Sequence, residues 1–281
     1  MSRTPERQII MLSNKILSQM LETAIEAAKL AGCHAMAALG HVKTSIKNGN
    51  ELVTQADSQC QQIIIDTIAE KFPEHGFLGE EGQHGGIFKQ SPTGKDHIWW
   101  VIDPIDGTNN FANGIRIFTI SIGAFYNGLP VAGVIYDPPT NSMFTALSGG
   151  SAQLNGIDIS TNETAEINKF SSIGIDSQYD AGVPKWICTI LQQTRFRNFG
   201  TTALQLAYVA NGGLIATIIN VPKLWDIAAG VIIAQTAGAI VSDWKGKNLF
   251  PINIDDYNGE VLPMLAANKK THPKILHLIS S

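Results

Sequence analysis

The sequence predicts a mixed α/β (α+β) protein in which helices come first, strands follow, and helices and strands then alternate. Three observations support this class: the helical spacing of apolar residues up to Phe72, the strand-like segments between Ile98 and Ala146, and the shorter alternating elements after Gly149. No Pro-, Ser- or charge-rich linker interrupts this order. We therefore expect one domain over residues 1–281, with subdomains of about 1–150 (α+β) and 151–281 (α/β).

In the first half, apolar spacing predicts a long helix over Ile16–Leu39 and a second helix over Asp57–Phe72, which Pro73 ends. The continuous apolar run Ile98–Ile102 is typical of a strand buried on both faces. Three strand-like runs over Ile117–Ala146 are separated by turn residues and predict an antiparallel meander. The polar, Gly-rich segment Gln83–His97 is expected to be a mobile loop.

In the second half, the predicted elements are short and alternate. Strands are expected at Phe170–Ile175, around Asn198, and at Leu214–Ile218, Ala239–Val241 and Leu262–Ala267. Helices are expected at Lys185–Gln193, Ala203–Ala210, Ile227–Ala237 and Pro273–Ile279. This alternation predicts an α/β unit.

Composition and charge exclude several classes of protein. The 281 residues are 44% hydrophobic and 16% charged, so the chain can bury a sizeable core. A formal net charge of −4 gives no reason to expect nucleic acid or an anionic membrane as partner. Gln235 and Thr236 interrupt the apolar stretch Ile227–Val241, so no membrane span is predicted.

Two further features favour a cytoplasmic protein. Met1–Gln8 is not followed by the apolar core of a secretory signal. Cys33, Cys60 and Cys188 are odd in number and widely spaced, so we expect reduced core residues rather than disulfides or a zinc site.

The segment Asp103–Thr108 (Asp-Pro-Ile-Asp-Gly-Thr) is the most informative part of the sequence. Pro104 favours an extended Asp103, and Gly107 allows a sharp turn, so two acids emerge where the buried strand ends. No Lys or Arg lies nearby in the sequence, and a bound cation would offset the cost of burying these carboxylates. A turn exposed to water is the alternative interpretation.

Other acids occupy similar positions. Glu80 and Glu81 follow the apolar segment Phe77–Gly79, while Asp57 and Asp226 begin predicted helices. Taken singly, these residues are explained as an acidic loop in solvent and as helix caps. If they converge with Asp103 and Asp106, they form a ligand set that suits a hard divalent cation such as Mg²⁺.

Two segments are candidates for contacts with a phosphate. The chain after Gly107 can open a short helix with Thr108 in its first turn, and the free N–H groups there suit a phosphate. Gly200-Thr201-Thr202 precedes a helix and is either an anion or hydroxyl contact or a capping turn. The sequence contains no phosphate-binding P-loop, dinucleotide-binding, zinc-protease or Ser-hydrolase motif.

Three segments resemble the signature motifs of the inositol monophosphatase family. They are Gly79–Glu81 (Gly-Glu-Glu), Trp100–Phe111 (Trp-Val-Ile-Asp-Pro-Ile-Asp-Gly-Thr-Asn-Asn-Phe) and Trp225–Gly230 (Trp-Asp-Ile-Ala-Ala-Gly), and Leu52–Asp57 resembles a fourth. The likeness runs in the family's order from about Leu21 to His277. It implies a layered α-β-α-β-α sandwich and a magnesium-dependent phosphomonoesterase.

The resemblance also implies a role for each acid. Glu80, Asp103 and the carbonyl of Ile105 would hold one Mg²⁺, Asp103, Asp106 and Asp226 a second, and Glu80 a third through water. One ion would lower the pKa of a water that Glu80 and Thr108 orient for in-line attack, and the second would stabilise the leaving alkoxide.

The remaining implied contacts concern orientation and substrate. Asp57 would hydrogen-bond Thr108. The amides of Gly107 and Thr108 would bind phosphate oxygens. Asp106 and Asp226 are also expected to contact the substrate, as is the segment Gly200-Thr201-Thr202.

The implied substrate is a small inositol, sugar or polyol monophosphate, because Thr108–Phe111 is closer to that branch of the superfamily than to nucleotide bisphosphatases. Ile219, however, stands where inositol-specific members have a glutamate, and an apolar side chain cannot bind a hydroxyl. A fructose-1,6-bisphosphatase, a histidinol-phosphatase and a 3'(2'),5'-bisphosphate nucleotidase therefore stay open. So does a catalytically idle regulatory or binding protein. Lithium sensitivity and a homodimer, with an interface in Ile117–Ala146, are further expectations.

Overall fold

The computed structural model describes residues 12–41, 44–47, 51–164, 166–179 and 182–280. The helices and strands before residue 160 are α1 (Asn14–Ala38), β1 (Thr44–Lys47), β2 (Glu51–Thr54), α2 (Gln55–Lys71), β3 (Gly76–Gly79), β4 (Phe88–Gln90), β5 (Ile98–Asp106), α3 (Thr108–Ala112), β6 (Thr119–Tyr126), β7 (Leu129–Asp137), β8 (Ser142–Leu147), β9 (Ala152–Leu154) and β10 (Ile157–Asp158). The later ones are β11 (Ser172–Ile175), α4 (Lys185–Gln193), β12 (Arg195–Arg197), α5 (Thr202–Ala210), β13 (Ala216–Ile219), α6 (Leu224–Thr236), β14 (Ala239–Asp243), β15 (Met264–Asn268) and α7 (His272–Ile279).

Helices and sheets alternate in five layers. The larger sheet has the strand order β10-β9-β8-β7-β6-β5-β3-β4, and α1 and α2 pack on one of its faces. On its other face lie α5 and α6, which also contact the smaller sheet, of order β12-β11-β13-β15-β14. Helices α4 and α7 cover the outer face of the smaller sheet. The α-β-α-β-α sandwich expected from the motifs is confirmed.

Helix α6 is apolar on nearly all sides because it lies between the two sheets. Ten of its 13 residues are buried, and burying a large apolar side chain stabilises a fold by about 1.5–3 kcal/mol. This position accounts for the apolar stretch that begins at Ile227. Within the described part of the chain, no helix has both the length and the apolar character that a bilayer span requires.

Most predicted elements agree with the structure to within a few residues, including the antiparallel meander β6–β7–β8. The description of Gln83–His97 as a loop is wrong in part, because β4 lies within it and pairs with β3. The short strands β1, β2, β9 and β10 were not predicted. Elements of two to four residues have too little periodicity to be recognised.

Four other expectations have different outcomes. Cys60 is buried, but Cys33 and Cys188 are exposed on α1 and α4, so their prediction as core residues is wrong. The meander strands are largely buried between helices, while Ile117 just before them is exposed, and a homodimer with an interface there stays a prediction. The predicted absence of a signal at Met1–Gln8 lies outside the described residues, and the single-domain organisation stays a prediction.

Candidate active site

Two of the predicted acids lie on β5 where its pairing with β6 is irregular. Asp103 pairs with Ser121 and Asp106 with Thr119, so β5 has one residue more than β6 between these pairs. The extra residue forms a bulge next to Pro104, which has no N–H to donate. Residues three apart on a regular strand lie on opposite faces, but the bulge brings both carboxylates to the face that α6 covers.

Glu80 reaches the same end of the sheet from the neighbouring strand. Strands β3 and β5 are parallel, and Gly79 pairs with Ile102. The next residues, Glu80 and Asp103, are therefore lateral neighbours, and the N–H of Glu80 continues the ladder by donating to the carbonyl of Ile102 at 3.3 Å. The predicted convergence of these two acids is present in the structure.

Asp57 connects the start of α2 to the start of α3. Its Oδ2 accepts hydrogen bonds from the N–H (2.9 Å) and hydroxyl (2.6 Å) of Thr54, which caps α2. Its Oδ1 lies 3.2 Å from the hydroxyl oxygen of Thr108, which is also 3.0 Å from the carbonyl oxygen of Ile105. Asp57 is thus a capping residue and a partner of Thr108 at once.

Asp226 approaches from the first turn of α6. Its Oδ2 accepts the N–H of Lys223 at 2.6 Å, so it too has the capping role considered for it. Helix α6 begins at Leu224 rather than Ile227, so Asp226 is its third residue and lies within the first turn. Its carboxylate faces Asp103 and Asp106.

Asp106 occupies the N-terminus of α5. It accepts hydrogen bonds from the N–H groups of Ala203 (2.6 Å) and Thr202 (3.2 Å) and from the hydroxyl of Thr201. Thr201 is also the cap of α5, because its side chain accepts the N–H of Leu204. The segment considered for an anion contact therefore binds an anion of the protein itself.

Gly107 provides the turn between β5 and α3. Its φ of +99° is a conformation that L side chains rarely adopt, and a Cβ there would lie 3.1 Å from the carbonyl oxygen of Gly200. This close approach joins the two candidate phosphate-binding segments. The short helix expected after Gly107 is present as α3.

Burial raises the pKa of three acids of the cluster. Burial raises the pKa of Asp106 to about 6 and that of Asp226 to about 7. The pKa of Asp103 is raised by burial first, and then by the negative charges of Glu80, Asp106, Asp226 and Asp57. Asp103 is therefore the electrostatic centre of the cluster.

The donor chemistry of this cluster fits a hard divalent cation. Carboxylate and carbonyl oxygens are the ligands that Mg²⁺ prefers, and its charge would relieve the repulsion around Asp103. Among the described residues, no three acids already surround one point as an ion's ligands. Asp106 and Asp226 instead direct an oxygen at backbone N–H groups.

A cavity of about 590 Å³ opens beside Asp106 and Asp226. Its volume is within the range of small-molecule sites. Its wall includes Gly200, Thr202 and Ile219. Ile115 and Ile117 also line it and are exposed to solvent. The cavity is large enough for the alcohol portion of a small ester.

Sequence comparison gives the family of this fold and site. Residues 16–281 match the model of the inositol monophosphatase family. The chain belongs to the inositol monophosphatase family. It is therefore a member of a phosphatase superfamily, as the motifs indicated.

Relatives in this family carry two kinds of name. The Nus factor SuhB of Vibrio cholerae is 35% identical over 236 residues, which cover 81% of this chain and 86% of that protein. Inositol monophosphatase 1 of Solanum lycopersicum is 32% identical over 251 residues, which cover 84% and 89%.

Solved structures of inositol monophosphatases (IMPases) have the same fold. A Thermotoga maritima IMPase has a TM-score of 0.80 and 30% identity, covering 92% of this chain and 96% of that one. An IMPase/NADP phosphatase complexed with Mg²⁺ and phosphate has a TM-score of 0.79 and 25% identity, covering 94% and 95%.

Two residues that support the site lie outside the family motifs, and the sequence analysis did not identify them. The side-chain amide of Gln61 bonds both the N–H (3.0 Å) and the carbonyl (2.7 Å) of Glu81, and Gly79 leaves the space that its amide needs. The hydroxyl of Tyr257 accepts the N–H of Leu224 at 2.8 Å at the start of α6. Gln61 follows Asp57 by four residues on one helix face, a signal that the sequence did contain.

Proposed function

We propose that this chain is a magnesium-dependent phosphatase that hydrolyses a small phosphomonoester, with an inositol, sugar or related polyol monophosphate as substrate. The observation that carries this proposal is the convergence of four other acids on the buried Asp103, beside a cavity of ligand size. The relative crystallised with Mg²⁺ and phosphate supports it.

The ligand assignment follows the positions of the acids. Glu80, Asp103 and the carbonyl of Ile105 would hold one ion, and Asp103, Asp106 and Asp226 a second, with two to three ions in all. When bound, Mg²⁺ supplies positive charge that makes water a better nucleophile and stabilises the leaving oxygen.

Thr108 positions the attacking water in this proposal. Its hydroxyl proton is directed to Asp57 or to the carbonyl of Ile105, so its lone pairs are left to accept a hydrogen bond from water. Glu80 accepts the water's proton as the new P–O bond forms. The ester oxygen leaves with its electron pair and takes a proton from solvent, to which Glu80 returns its own, so the products are an alcohol and phosphate.

The start of α3 binds the phosphate group in this proposal. The amides of Gly107 and Thr108 lie in its first turn, where unpaired N–H groups favour an anion. Gly200, Thr201 and Thr202 contribute from the cavity wall. The hydroxyl of Thr201 is already bonded to Asp106, so it acts through that acid.

Phosphate release from a panel of esters tests this proposal. The panel contains inositol, fructose, glycerol, histidinol and nucleotide phosphates, each with Mg²⁺ and with a chelator. We expect Mg²⁺-dependent release concentrated on one class. A folded protein that releases phosphate from none of them contradicts the proposal.

A catalytically idle regulatory protein is the second candidate, and the name of the SuhB relative favours it. The two candidates differ in their response to Asp103→Asn. The substitution should abolish turnover in an enzyme and should leave a purely regulatory role intact. Cytoplasmic location, a homodimer and lithium inhibition stay predictions.

A further inference from the structure

The cavity beside the acid cluster has a marked charge asymmetry. Among the described residues that line it, none is Lys, Arg or His, while Asp106, Asp176 and Asp226 bring carboxylates. Asp106 and Asp226 belong to the proposed metal site, and the phosphate to be cleaved has its partners there. A second phosphate on the alcohol would find no basic side chain in the described wall.

Asp176 brings an acid close to the position where Ile219 leaves none. Strands β11 and β13 are parallel neighbours, and Ile175 pairs with Ile218. The next residues, Asp176 and Ile219, are therefore adjacent at the carboxyl ends of these strands, about 5 Å apart in the sheet direction. Both line the cavity.

One oxygen of the Asp176 carboxylate is bonded to the backbone, whereas the other is buried without a hydrogen bond of normal geometry. Its Oδ2 accepts the N–H of Asn220 at 2.6 Å. Its Oδ1 and the hydroxyl of Tyr179 complete no hydrogen bond of normal geometry among the described residues, although Tyr179 and the N–H of Val221 lie close enough to the carboxylate to lower its pKa in part. None of the described ion pairs includes it. Burial raises its pKa. An unpaired buried carboxylate oxygen is unfavourable, so a donor would be bound strongly.

Gln205 adds a second acceptor to the same wall. It lies on α5, is 2% exposed and lines the cavity, and its Oε1 has no partner among the described residues. The unpaired oxygens of Asp176 and Gln205 are closed to water. Both side chains line the cavity and their terminal torsions are soft, so a rotation that exchanges a present contact for the ligand brings an oxygen to it.

We propose that Asp176, assisted by Gln205, selects the alcohol half of the substrate by accepting hydrogen bonds from its hydroxyl groups and by repelling an alcohol that carries a second phosphate. This inference rests on the proposed phosphatase function. It disfavours fructose 1,6-bisphosphate and nucleotide bisphosphates. The selected chemistry is a hydrogen-bond donor without negative charge, which a polyol or an amino alcohol can provide.

Matched substrate pairs test the selection. We would measure kcat/KM for fructose 1-phosphate against fructose 1,6-bisphosphate, and for inositol 1-phosphate against inositol 1,4-bisphosphate. Repulsion between a carboxylate and a phosphate a few ångströms apart predicts a preference of roughly 100-fold for the monophosphates. Asp176→Asn should reduce it to roughly 10-fold or less. Ser177→Ala, which removes a neutral neighbour in the same wall, should leave it unchanged.

The effect on each substrate shows whether Asp176 contacts the alcohol part of the substrate or only supports the local structure. Asp176→Asn should raise KM for the monophosphates and leave kcat within about 3-fold. Histidinol phosphate and glycerol phosphate separate the two donor types, because a stronger loss with histidinol phosphate identifies an ammonium group as the partner. If the variant lowers only the melting temperature and the mono- to bisphosphate ratio is unchanged, Asp176 merely supports Asn220 and Tyr179, and the inference is wrong.

Failure of the inference and failure of the proposed function give different results. Equal turnover of mono- and bisphosphates by the wild type overturns the inference alone, while no release from any ester contradicts the function. If no ester is hydrolysed, calorimetry with non-hydrolysable phosphonate analogues still tests the proposed selection. Tighter binding of the monophosphonate than of the bisphosphonate supports the selection if Asp176→Asn removes the difference. Equal dissociation constants for the two analogues refute it. Asp176→Ser replaces Asp176→Asn if the latter does not fold.

Discussion

The phosphate half of the proposed site is crowded with charge, whereas the alcohol half is mostly neutral and in part apolar. Asp103, Asp106 and Asp226 are gathered at the end of β5, where burial raises the pKa of each and the neighbouring acids raise that of Asp103 further. The rest of the cavity wall includes the exposed side chains of Ile115 and Ile117. The comparison indicates that the first half determines whether the reaction occurs and the second half which alcohol is accepted.

The largest effect is expected at the centre of the phosphate half. Asp103→Asn removes the charge on which four other acids act, and we expect kcat to fall by about 10³-fold or more because the metal site is lost. Phosphate release under saturating substrate measures this. Asp66→Asn, at an exposed acid on α2, is the control and should retain full activity. An active Asp103→Asn protein would remove the basis of the comparison.

A smaller loss is expected when the charge is kept and only water positioning is removed. Thr108→Val deletes the hydroxyl that lies 3.2 Å from Asp57, and we expect kcat to fall about 10²-fold with little change in KM. Thr108→Ser keeps the hydroxyl and should retain most activity. Equal activity of the Val and Ser variants would show that this hydroxyl has no part in the reaction.

The phosphate half should also make stability depend on pH when metal is removed. The pKa values of Asp106 (about 6) and Asp226 (about 7) are raised above the unfolded value, so the folded state binds more protons and its stability falls as pH rises through these values. In a chelator, the melting temperature should be several degrees lower near pH 8 than near pH 5. Millimolar Mg²⁺ should reduce this difference by binding the ionised acids.

Two results in the same melting experiment would count against this account. One is a melting temperature in the chelator that rises from about pH 5 to pH 8. The other is a curve that Mg²⁺ does not alter at either pH.

The smallest effect is expected at an exposed polar side chain on the rim of the cavity. Asn109 lines the cavity and is exposed, so Asn109→Ala should change kcat by less than about 3-fold and alter KM only for some alcohols. Steady-state kinetics on two different monophosphates would measure it. A loss as large as that of Thr108→Val would mean that the two halves are not separable.

The two halves also differ in how far the sequence predicts them. Most acids of the phosphate half lie in short motifs next to predictable strands and helices, so their convergence could be expected. The bulge that brings Asp103 and Asp106 to one face could not, because it depends on pairing with β6. Nor could the sequence predict that Asp106 lies at the start of α5, because Asp106 and Thr202 are 96 residues apart in the chain.

The alcohol half is assembled from residues without a local signal. Asp176 directly follows a four-residue strand, and Gln205 lies within an apolar helix. Only the pairing of β11 with β13 sets Asp176 beside Ile219. The fold follows the same rule. Long periodic helices such as α1 were predicted nearly to the residue, while β4 was taken for a loop because its pairing with β3 is a tertiary contact.

Magnesium binding measured by titration calorimetry tests the central claim most directly, because it does not depend on the choice of substrate. The account predicts saturable uptake of two or more ions per chain by the wild type, and its loss in Asp103→Asn at the same concentrations while the variant stays folded. Identical isotherms for the two proteins, or no uptake by the wild type at millimolar Mg²⁺, would contradict it.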